Sequence, residues 1–272
     1  MTRATAKEVS IPVQTAPPLP GMLVLPPNAT SIVLFAHGSG SSRFSPRNRE
    51  VAATLQRGGI GTLLFDLLTE PESRDRQLVF DIALLAQRLS AARRWLTGEA
   101  ATAELAAGYF GASTGAAAAL VAAADHPEGV HAIVSRGGRP DLAGEALARV
   151  TAPTLLIVGG GDRSVLELNE AAFRALRGEK RLEIVAGATH LFEEPGAMEQ
   201  VATLATEWFS AHLGAPTRPP RRDDRGGAAP PGRRRHGRAG GDRRENSFTL
   251  LSIRAIARSP YSTAPPCPPR GG

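Results

Sequence analysis

Leu105–Leu120 reads LAAGYFGASTGAAAAL. An apolar run ends in Gly111-Ala112-Ser113-Thr114-Gly115, and a stretch of alanines follows. The order is strand, tight turn, helix. The five residues at the turn fit G-x-S-x-G. Small residues two before and two after a serine let such a turn close where larger side chains would block it. The serine hydroxyl then stands clear at the strand end. The N-terminus of the next helix favours negative charge developing there. Taken alone, the pentapeptide is equally an ordinary Gly-rich turn in a chain with 29 glycines. Its setting between an apolar strand and an Ala-rich helix gives it meaning.

The same alternation extends in both directions. Short apolar runs at 31–36, 60–65, 105–110, 130–135, 154–158 and 181–186 predict strands, because unbroken apolar residues suit strands buried on both faces. Helical character falls at 46–57, 77–96, 114–124, 164–177 and 197–212. Pro46 suits a first helical turn, and Leu78, Ile82, Leu85, Leu89 and Trp95 lie near one stripe of 77–96. Strand–helix repetition predicts an α/β fold, a mostly parallel central sheet with helices on both faces. Residues 8–13 and 22–25 add an antiparallel pair at one edge.

A serine hydroxyl needs a general base to attack at neutral pH. His190 follows a strand through Gly187-Ala188-Thr189, on a loop from which an imidazole can swing to a neighbouring strand end. His37, His126, His131, His212 and His236 compete; His131 reads as lying within a strand, and His37 belongs to the loop described next. An acid must orient the imidazole and stabilise its charged form. Asp162, after Gly159-Gly160-Gly161, is one candidate and Asp66 the other. Asp162 also suits a helix cap, a job Ser164 can take. Acyl transfer further needs fixed donors for an oxyanion. The loop His37-Gly38-Ser39-Gly40 offers the Ser39 N–H, and the elbow offers that of Thr114.

SIVLFAHGSGSSRFSPRN, GYFGASTGAAAAL, VSRGGRPDL, APTLLIVGGGD and GATHLFEEPG together resemble the α/β-hydrolase superfamily, and within it the dienelactone-hydrolase-like branch. The resemblance covers about residues 8–213. It implies Ser113 as nucleophile, Asp162 as acid, His190 as base, and Ser39 and Thr114 as oxyanion donors. Dienelactone hydrolases proper use a cysteine nucleophile, and serine stands here. The expected activity is hydrolysis of a small ester, lactone or thioester through an acyl-enzyme. Amide cleavage and a non-catalytic binding module are the alternatives. The chemistry requires no cofactor and no metal.

The stretch 136–152 leaves room for a turn and a short helix only, so the lid is small or absent. Arg136 and Arg139 stand at a strand end near the site. One of them is expected either to hold a substrate carboxylate or to pair with Asp141 or Glu145.

Charge divides the chain into a hydrolase body at 1–214 and an Arg/Pro/Gly-rich extension at 215–272. The extension holds 13 Arg, 10 Pro and 8 Gly against 4 Asp/Glu, while the body has 19 Lys/Arg against 22 Asp/Glu. The overall +6 therefore belongs to the extension. Such a composition reads as disordered. It reads equally as a translated GC-rich frame or as a tether to nucleic acid, although no interleaved aromatics support base stacking. The single Cys267 gives no disulfide framework. No apolar run approaches the ~18 residues of a membrane span. Met1–Gln14 lacks a leader pattern, so the expectation is a cytoplasmic protein.

Overall fold

The computed structural model describes residues 5–14, 16–214 and 253–254. The strands are β1 (Thr5–Ile11), β2 (Leu19–Leu25), β3 (Ser31–Ala36), β4 (Gly61–Phe65), β5 (Ala106–Ala112), β6 (Ala132–Arg136), β7 (Thr154–Gly159), β8 (Lys180–Val185) and β9 (Ile253–Arg254). They form one sheet in the order β1-β2-β4-β3-β5-β6-β7-β8-β9. β1 and β2 pair antiparallel, as do β2 and β4, and every other pairing is parallel. The antiparallel edge pair is longer than the runs at 8–13 and 22–25 suggest. Of the stretch 215–272, only Ile253–Arg254 is described, beside β8; the reading of the remainder lies outside the described residues.

The helices are α1 (Pro46–Arg57), α2 (Glu70–Ser73), α3 (Arg76–Val79), α4 (Ile82–Gly98), α5 (Thr114–Asp125), α6 (Arg163–Ala175) and α7 (Ala197–His212). They cover both faces. Side chains alternate along a strand, so Ile32, Leu34 and Ala36 of β3 join the core under α4 and α5, while Val33 and Phe35 join the core under α1 and α7. β3, β4, β5, β6 and β7 are buried throughout, which is why their sequences lack polar alternation.

The single helix expected over 77–96 is two. Asp75 caps α3 by accepting from the Gln77 N–H, and Asp81 starts α4 afresh by accepting from the Leu84 N–H. These competing caps interrupt the apolar stripe. Leu78 therefore belongs to a separate turn. The stretch expected to hold a small lid is a 3-10 segment, Pro140–Arg149, kinked at Gly144 with φ 53°. Among the described residues, no helix is long and apolar enough to cross a membrane.

Candidate active site

The site is built at the C-terminal edge of the parallel strands, where open α/β sheets place their ligands. Ser113 joins β5 to α5 with φ 50° and ψ −121°. A non-glycine residue there is strained and persists only when its surroundings hold it. The Ser113 carbonyl accepts from the Ala116 and Arg139 N–H groups, each at 3.1 Å. The flanking glycines are required by space. A Cβ on Gly111 would lie 2.7 Å from the Ala116 nitrogen, and one on Gly115 would lie 2.6 Å from the His37 carbonyl oxygen. Thr114 opens α5, a position whose N–H has no intrahelical acceptor.

The His37–Gly40 loop crosses this elbow. A Cβ on Gly38 would lie 2.9 Å from Ser113 Cβ. The Ser39 N–H donates to Thr114 Oγ1 at 3.0 Å, so the two expected oxyanion donors belong to touching residues. A cavity of about 810 Å³ opens on them, walled also by Phe44, Arg47, Asp66 and Leu68.

His190 lies on the loop between β8 and α7. Its Nδ1 is 2.7 Å from Asp162 Oδ2. Asp162 stands at the cap position of α6 yet makes no capping bond, because its carboxylate is turned to the imidazole. The expectation that Ser164 caps is corrected: it is the second residue of α6, and its hydroxyl donates to Asp162 Oδ1 at 3.5 Å. The glycines at the end of β7 and just after it permit this meeting. A Cβ on Gly159 would lie 2.7 Å from the Thr189 carbonyl oxygen, and the Gly161 N–H donates to Ala188 O at 2.9 Å.

Ser113 and His190 flank the end of β6. The Ser113 N–H reaches the Arg136 carbonyl at 3.4 Å, while a Cβ on Gly137 would lie 3.1 Å from the His190 carbonyl. Among the described residues, no hydrogen bond joins the Ser113 hydroxyl to His190.

The rival acid has another partner. Asp66 accepts from the Arg43 N–H at 2.7 Å and forms a salt bridge with the Arg43 guanidinium. The rival histidines also stand elsewhere. His126 ends α5, His131 precedes β6 rather than lying within a strand, and His212 packs against Trp208 with its ring tilted. His236 lies outside the described residues. His37 is buried, and burial lowers its pKa against the opposing pull of Gly38 and Asp66.

Both arginines have protein partners. Arg139 grips Asp141 with two bonds, at 2.9 and 2.7 Å. Arg136 is 6% exposed. It donates to Asn48 Oδ1 at 3.2 Å, and burial first, then the charge of Arg47, pushes its pKa down to about 10. Neither residue lines the cavity. The sequence reading missed Asn48, which holds Arg136 against α1, and Phe192, two residues after His190 and buried with φ 57°. No sequence signal marks an aromatic residue with positive φ.

A dienelactone hydrolase from Anabaena variabilis shares this fold at TM-score 0.76 and 58% identity, covering 78% of this chain and all of its own. The chain belongs to the dienelactone-hydrolase-like branch of the α/β-hydrolase superfamily. An esterase domain from Rhodothermus marinus, at 20% identity and TM-score 0.63, covers 77% of this chain and all of its own and shares the fold alone. No protein-family model matches the chain. Two Mycobacterium tuberculosis proteins, provisionally named phosphoribosyl transferases, are 60% identical over 199 residues. The match is 73% of this chain, which spans only 45% of the length of those relatives. Within its branch this α/β-hydrolase carries serine, not cysteine, at the elbow.

Proposed function

We propose that this chain is a serine hydrolase cleaving a small ester, lactone or thioester through an acyl-enzyme. The observation that carries the reading is the Asp162–His190 pair at 2.7 Å, at the same sheet edge as a serine in a strained elbow. Such a pair fixes the imidazole tautomer and leaves Nε2 as the base.

In the first step His190 Nε2 takes the Ser113 proton while Oγ bonds to the substrate carbonyl carbon. The carbonyl oxygen becomes an oxyanion, met by the Thr114 N–H and by the Ser39 N–H, which it shares with Thr114 Oγ1. Collapse breaks the bond to the leaving group, which takes the proton from His190. Water then attacks the acyl-enzyme, giving its proton to His190, and the carboxylic acid leaves as Ser113 regains its hydrogen. The short Pro140–Arg149 segment leaves the site without a large apolar cap, which suits small acyl groups. The Mycobacterium tuberculosis relatives extend well beyond the matched stretch.

The test is turnover of p-nitrophenyl acetate by the purified chain and by Ser113→Ala. The reading requires turnover in the first and at least ~10³-fold less in the second, with folding unchanged. Equal turnover in both overturns it.

A further inference from the structure

We propose that His37 is a positioning residue for this reaction, holding the Gly38–Ser39 peptide so that the Ser39 N–H faces the elbow. The inference rests on the hydrolase reading above and adds a residue that touches no reacting atom.

The tautomer follows from the geometry. The Leu67 N–H donates to His37 Nε2 at 3.0 Å. That nitrogen must present a lone pair, so the neutral ring carries its proton on Nδ1. Nδ1 lies 3.0 Å from the Gly38 carbonyl oxygen and donates to it. The Ser41 N–H gives the same oxygen a second bond at 3.2 Å. Two donors thus fix the direction of one C=O.

A trans peptide is planar, with C=O and N–H pointing opposite ways. Fixing the Gly38 carbonyl therefore fixes the Ser39 N–H. That N–H reaches Thr114 Oγ1 at 3.0 Å, beside the nucleophile. A preorganised donor stabilises an oxyanion because it needs no reorganisation as charge develops. Without His37 the Gly38 carbonyl keeps one donor, from Ser41, and the Ser39 N–H is held only by its own bond to Thr114 Oγ1, so the peptide is freer to rotate.

The two ring nitrogens separate this role from simple support. Asparagine places an amide donor where Nδ1 stands but cannot reach Leu67. Glutamine places an acceptor where Nε2 stands but leaves the Gly38 carbonyl without its donor. We would measure kcat and KM for p-nitrophenyl acetate with the full chain, His37→Asn, His37→Gln and His37→Ala. Affinity for an aryl trifluoromethyl ketone would be measured alongside, since Ser113 adds to its carbonyl and leaves an oxygen in the oxyanion position. His37→Gln and His37→Ala should lose at least ~10-fold in kcat and in ketone affinity, with KM within ~3-fold, while His37→Asn recovers to within ~3-fold of the parent. A glutamine variant as active as the parent, or an asparagine variant as poor as the glutamine one, overturns the role. A parent chain that turns over no ester removes the hydrolase reading itself, and this inference with it. Should the variants fold poorly, ¹⁵N resonances of the parent imidazole decide: a His37 proton on Nδ1 supports the role, and one on Nε2 overturns it.

Discussion

The Nδ1 of His190 and the Oδ2 of Asp162 lie 2.7 Å apart although 28 residues separate them. The contact depends on two strand ends, those of β7 and β8, being neighbours in register, with Gly159 paired to Val185. Asp162→Asn keeps the shape and removes the charge. It should lower kcat by ~10³-fold or more, because the amide favours the wrong imidazole tautomer. Steady-state kinetics on p-nitrophenyl acetate checks this. A loss below tenfold would assign the orienting role elsewhere.

Gly115→Ala places a methyl group against the Ala36 and His37 carbonyls. Overpacking of a rigid site costs about 1–3 kcal/mol or more. For a body of this size that lowers the thermal midpoint by at least ~3 °C. Gly98, at the end of α4, meets nothing within 4 Å, and Gly98→Ala should leave the midpoint unchanged or slightly raised. Differential scanning fluorimetry of the two variants reads the contrast.

His37 links stability to pH. Burial lowers its pKa in the folded protein below the ordinary imidazole value of 6.5. Between those two values the unfolded chain binds a proton that the folded chain refuses, so stability falls as pH drops through that window. Above pH 6.5 the contribution is fully present. Denaturant midpoints between pH 7.5 and 5 should therefore decline more steeply for the parent than for His37→Asn. Parallel curves would contradict the buried neutral ring.

Arg139 already holds Asp141. Arg139→Ala should leave the ratio of kcat/KM for a hemisuccinate ester to that for a neutral ester within ~2-fold, since its guanidinium is engaged by Asp141 and lies outside the cavity lining. A tenfold loss confined to the charged ester would assign Arg139 to substrate recognition instead.

Much of the fold was legible because burial on both strand faces leaves unbroken apolar runs, as in Thr154–Gly159. The elbow was legible because its glycines are sterically required. The break between α3 and α4 was harder to read, since Leu78 continues the apolar stripe of 82–96 and only the capping bonds of Asp75 and Asp81 divide it. The choice between Asp66 and Asp162 could not come from spacing alone. In the structure Asp162 meets the His190 imidazole, while Arg43 engages Asp66 from another loop. The setting of Arg136 was likewise illegible, because Asn48 lies 88 residues away and no pattern links the two.

The most direct measurement is intact-mass and peptide mapping after reaction with a fluorophosphonate. A single adduct is expected on the peptide containing Ser113, lost in Ser113→Ala and strongly slowed in His190→Ala. No adduct on the parent chain, or an adduct that persists when Ser113 is replaced, would contradict it.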